Sequence, residues 1–270
     1  MKRFRTHIII IFIGLVLMIC SPVSAQTTYE QLQDNYRFSL DAYKQALDEY
    51  NFARAEYLKY NTQVSKDLAI QATKKFLNSR QQVLVNYLLV IKERLEQSPE
   101  LTEVELKDKI LWVNEEIKFL ETNQPLFDSA EDLDDLVKLS SQIEKRNGKY
   151  LAQSYRMKGL VIISKVRSLR KTALELINLA NEQVARLKKE GIVNTTDIDR
   201  WLLEAPRKIL LSETKETESI EKFAKLSDRA NSTTLAKFFG TLQNDLRNSA
   251  QYLKEANDLL FEIVHKIRFT

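Results

Sequence analysis

Nine basic residues and no acid lie between Glu144 and Glu175. At 100° per residue, Lys145, Lys149, Arg156, Arg167, Arg170 and Lys171 fall on one broad helical stripe, a candidate surface for an anionic envelope polymer or a membrane. The plainer reading is complementary packing, because the segment from Glu100 to Asp135 carries twelve acids against three lysines. A second array, Tyr29, Tyr36, Tyr43, Tyr50 and Tyr57, repeats every seven residues. Leu32, Ser39, Ala46, Ala53 and Tyr60 hold the companion positions. Large rings beside small side chains suit interdigitation with another helix, in the same chain or in a second copy.

Other chemistries find little footing. After Ala25 there is no cysteine, and His265 and Met157 are alone of their kinds, so Cys/His zinc sites are excluded. A Ser-His-Asp triad would have to use His265, which the terminal run from Ile263 to Ile267 explains as a helix-end cation. The acids from Asp128 to Asp135 lack the turn glycine and ligand spacing of an EF-hand loop and suit a helix start. Asn194-Thr195-Thr196 and Asn231-Ser232-Thr233 match the N-glycosylation pattern, but both stand where a helix wants a cap. No catalytic, cofactor-binding or metal-binding residue emerges, and no enzymatic activity is expected.

The first residues speak to compartment. Lys2, Arg3 and Arg5 precede an apolar run from Ile8 to Cys20, then Ser21-Pro22 and the small residues Val23-Ser24-Ala25. The run is short of the roughly 20 residues a spanning helix needs. Residues 1–25 therefore read as a signal peptide cleaved after Ala25, with a retained anchor as the alternative. Beyond it the chain carries 38 Lys+Arg against 37 Asp+Glu, so no net pull toward nucleic acid is expected.

Periodicity supplies the elements that would carry these arrays. An uninterrupted helix is predicted from about Thr28 to Gln97, where neither Gly nor Pro intervenes. Thr102 and Glu105 have capping-box spacing and open a second helix, which is expected to end before Asn123-Gln124-Pro125. A third runs from about Ser129 to Glu190 and closes on Gly191, with Gly148 and Gly159 marking bends. A fourth starts after Asn194 and is kinked or restarted at Pro206. Its stretch from Ser212 to Ser219 has no apolar residue and reads as a solvated face or a frayed segment. The last, capped by Ser232, alternates four and three through Leu235, Phe239, Leu242, Leu246, Ser249, Leu253, Ala256, Leu260, Ile263 and Ile267, a coiled-coil seam with one polar member.

The expected fold is all-α: an elongated bundle or coiled coil of about five helices, two of them very long. A long helix with a short antiparallel one would fill residues 26–128, and a long central helix with a C-terminal hairpin residues 129–270. The plan is similar to that of spectrin-like repeats in architecture alone. Since the second helix covers only about a third of the first, the tyrosine stripe predicts a homodimer or another coiled-coil partner. The functional expectation is an exported structural or protein-interaction rod of the cell envelope or exterior. Its alternatives are a module holding anionic polymer or lipid on the basic stripe, and a membrane-active helical protein.

Overall fold

The computed structural model describes residues 23–191, 196–225, 227 and 231–269. The chain is all-helical, with no strand among the described residues: α1 (Val23–Tyr60), α2 (Gln63–Glu96), α3 (Glu103–Ser129), α4 (Leu133–Glu144), α5 (Asn147–Lys189), α6 (Thr196–Ala224) and α7 (Ser232–Phe269). Most of the expected signal peptide, residues 1–22, lies outside the described residues, as do Asn194 and Thr195. No described helix is long and apolar enough to cross a membrane.

The predicted helix from Thr28 to Gln97 is two helices. Asn61 takes the left-handed conformation, φ +47°, in which asparagine is the least penalised residue after glycine. Thr62 then caps α2: its Oγ1 accepts from the Ser65 amide at 3.2 Å, while Ser65 Oγ accepts from the Thr62 amide at 3.0 Å. This is the reciprocal logic of a capping box with serine in the distal role. The chain reverses there, and α1 pairs with α2 through partners about equally far from Asn61. Tyr50 stacks on Phe76 at 5.0 Å, Tyr36 meets Tyr87 at 5.8 Å, and Arg94 lies 3.8 Å over the Tyr29 ring.

Three further boundaries depart from expectation. Helix α3 runs through Pro125 to Ser129, with Phe127 fully buried just beyond the proline. Burial on that turn outweighs the hydrogen bond the proline ring removes. The predicted third helix breaks at Lys145-Arg146, where the weak helix formers Asn147 and Gly148 follow. Its upper part, α4, is capped by Asp132, whose Oδ1 accepts from the Asp135 amide at 2.9 Å. Helix α7 is capped by Asn231, not Ser232: Asn231 Oδ1 accepts from the Thr234 amide at 2.8 Å. The Thr102–Glu105 capping box is present, and Gly191 has the expected left-handed backbone, φ +65°.

Packing divides the described residues into two compact units, those within 23–94 and 113–140 and those within 95–112 and 141–269. The division passes within α2, α3 and α4. In the first unit, Ala46 and Ala53 of α1 lie buried, as do Leu77 and Leu88 of α2 and Val113, Leu120 and Phe127 of α3. The second unit joins α5, α6 and α7. Its main cluster holds Ala173, Ile177 and Val184 of α5, Ile198, Ala205 and Ile209 of α6, and Leu253, Ala256, Leu260 and Ile263 of α7. A smaller cluster, Ile163, Leu242 and Leu246, gathers Ile220, Phe223 and Phe239. The predicted α7 seam is buried from Leu235 to Ile263, apart from the half-buried Phe239.

Candidate functional site

The basic stripe is split between ion pairs and solvent. Arg167 of α5 donates from Nε to Glu216 Oε1 at 2.7 Å and from Nη1 to Glu105 Oε2 at 2.9 Å. Its Nη2 reaches Glu105 Oε1 at 3.2 Å, and Nη1 also bonds the Glu100 carbonyl at 3.1 Å. Arg170 donates to the second Glu216 oxygen at 2.6 Å, and Lys171 to Glu100 at 3.2 Å. Two guanidiniums and two carboxylates thus neutralise one another and tie the start of α3 to α5 and α6. Lys145 and Lys149 remain exposed, and Arg156 is half-buried. The structure therefore does not present the six cations as one free surface. Arg167, Arg170 and Lys171 follow the complementary-packing reading, with partners from the acid-rich segment and from α6.

Electrostatics at this cluster follow from geometry. Burial pushes the Glu105 carboxyl toward its neutral form, but hydrogen bonds from Arg167 and from the Thr102 amide and hydroxyl outweigh it, so its pKa lies below the ordinary 4.5. One carboxylate both completes the cap of α3 and receives a bidentate arginine. Glu216 is almost fully buried, and both of its oxygens are taken by the two arginines that flank it.

One face of the stretch from Ser212 to Ser219 lies in the core, while Glu213, Thr214 and Thr217 on its other face are exposed. Ser212, Glu216 and Ser219 are buried, and Ser212 Oγ pairs with Ser249 Oγ at 2.8 Å while Ser249 Oγ also bonds the Ser212 carbonyl at 2.8 Å. The sequence does carry the signal. Ile198, Leu202, Ala205, Ile209, Ser212, Glu216, Ser219 and Phe223 keep the four-three alternation, so the seam continues through polar residues. Arg170 holds the matching position on α5, after Gly159, Ile163 and Val166. The single polar member of the α7 seam, Ser249, meets this layer.

The tyrosine array is used inside the chain. Tyr29, Tyr36, Tyr43, Tyr50 and Tyr57 are each half-buried, and the first four have aromatic or guanidinium partners on α2. The companions Ser39, Ala46 and Ala53 are buried. The stripe is thus a hairpin seam. The deficit that pointed to a second copy disappears because α2 covers α1. No group of acids, histidines or cysteines among the described residues could hold a metal ion. No known protein-family model matches the chain, and no curated protein or solved structure matches it.

Sequence reasoning missed a different surface. Around the Asn61 turn, Phe52, Leu58, Tyr60, Val64 and Leu68 all stand exposed, Val64 to 75% and Leu58 to 67%. A continuous helix would have hidden their shared location, since only the reversal gathers both flanks at one end.

Proposed function

We propose that this protein is an exported, non-catalytic interaction module of the cell envelope or exterior, and that it associates with a second copy through the turn end of the α1–α2 hairpin. The observation that carries the reading is the group of large apolar side chains left exposed around Asn61. Apolar surface gathered at one place usually marks an interface. The charges among them are of both signs, with Arg54, Lys59 and Lys66 beside Glu56 and Asp67. A two-fold contact sets a patch against itself, so mixed signs favour a like copy over a strongly charged partner. The four-three seams of α5, α6 and α7 support coiled-coil packing within the second unit. Export is supported by the charged start, short apolar run and small residues of 1–25.

Sedimentation velocity over a range of concentrations tests the reading on the purified exported chain. A reversible dimer is expected, lost in the variant Leu58→Glu/Val64→Glu. A compact monomer at every concentration, or a dimer indifferent to both substitutions, counts decisively against it.

A further inference from the structure

The first unit carries a groove of about 480 Å³ between α1, α2 and the second part of α3. Ser39 and Ala42 of α1 and Ser79 of α2, all small side chains, are among its lining residues. Five carboxamides line it: Asn35 on α1, Asn78, Gln82 and Asn86 on α2, and Gln124 on α3. Phe38 completes the wall and is 79% exposed. In a chain with 29% charged residues, none of the lining side chains ionises, so the groove does not select for charge.

From this composition we infer that the groove binds an uncharged saccharide chain. A carboxamide offers both donors and acceptors, which is what a hydroxyl needs, since each hydroxyl gives one hydrogen bond and takes others. Several carboxamides around one cleft can therefore read neighbouring hydroxyls without paying to strip water from a buried charge. The flat apolar face of a sugar ring suits an exposed phenyl ring better than water does. Part of the array is already ordered. Asn86 Nδ2 donates to the Asn35 carbonyl at 3.2 Å, Gln82 Nε2 to Asn86 Oδ1 at 3.2 Å, and Asn78 Nδ2 to Asp128 Oδ1 at 2.8 Å. Those bonds fix the α2 amides and leave Gln82 Oε1 and the side chains of Asn35 and Gln124 without an intramolecular partner among the described residues. A second copy offers charged helix faces, which a neutral amide cleft would pair poorly with. The groove also lies apart in sequence from the apolar residues that flank Asn61.

The test is saturation-transfer NMR and calorimetry on the exported chain with maltohexaose and chitohexaose, backed by an array of neutral glycans, with polygalacturonate as the anionic control. Binding to at least one neutral glycan is expected, insensitive to salt. Phe38→Ala should weaken it about tenfold or more through lost ring contact, and Asn35→Ala/Gln124→Ala by a similar factor. Circular dichroism should be unchanged, since these side chains are exposed. The inference is overturned if no neutral glycan binds, if only the polyanion binds, or if binding survives both variants. It is also overturned if Phe38→Ala abolishes self-association without altering glycan binding.

Discussion

Replacing Gly159 by alanine should destabilise the second unit, although the same exchange in most helix interiors stabilises. A methyl group on Gly159 would sit 2.1 Å from Phe223 Cζ and within 2.9 Å of both neighbouring ring carbons. Carbon atoms settle at about 3.5–4.0 Å, so the overlap exceeds about 1 Å and the ring must move. It has little room, being packed against Ile163, Leu242 and Leu246 and set edge-on to Phe238 at 6.0 Å. Alanine gains about 1 kcal/mol over glycine in backbone propensity. Overpacking costs about 1–3 kcal/mol, here toward the upper end, for a net loss of about 1–2 kcal/mol. Gly240 of α7 is the matched control: nothing lies within 4 Å of its added carbon, so Gly240→Ala should gain about 1 kcal/mol. Urea unfolding followed by tryptophan fluorescence reads this directly, because Trp112 and Trp201 both belong to the second unit. Trimming the ring in Gly159→Ala/Phe223→Leu should recover part of the loss, leaving a coupling of about 0.5–3 kcal/mol. If Gly159→Ala stabilises as much as Gly240→Ala, the close-approach argument is wrong.

Two other perturbations probe buried polarity. Gln81 is buried on the α2 stripe between Leu77 and Leu88, and neither of its amide atoms has a hydrogen-bond partner among the described residues. Gln81→Leu should therefore raise stability by about 1–2 kcal/mol, read by chemical denaturation with circular dichroism; a loss would show that the amide is satisfied in solution. For Glu105 the folded pKa lies below the unfolded value, so its contribution is present above the ordinary 4.5 and disappears as pH falls through the folded value. Stability of Glu105→Gln should accordingly fall less than that of the native chain between about pH 5 and pH 3, and parallel curves would remove Glu105 from the acid response.

What the sequence showed and what it hid follow one physical rule. Periodicity reports which face of a helix is covered, and it reports this well: the α7 seam from Leu235 to Ile263 was legible residue by residue. It cannot report what covers that face. The tyrosine stripe of α1 looks the same whether its partner is a second chain or the same chain returning. Deciding between them required the turn at Asn61, and that turn uses neither glycine nor proline. Its signal was chemical: an asparagine suited to the left-handed backbone, then Thr62 and Ser65 at capping distance.

The polar layer of the second unit was hidden for a related reason. Ser212 to Ser219 reads as solvated if hydrophobicity is the criterion and as seam if spacing is. Spacing was the better guide, because a seam position is buried by its neighbours whatever side chain occupies it. Arg167, Arg170 and Glu216 hold together there because each charge meets a partner, and removing one would strand the others in low dielectric. Such a layer adds little net stability but penalises sliding. A shift of one heptad in α6 would set Ile209 or Phe223 against Arg170 and bury the guanidinium unpaired. The polar residues at Arg170, Ser212, Glu216 and Ser249 thus select one register among several that apolar side chains alone would accept.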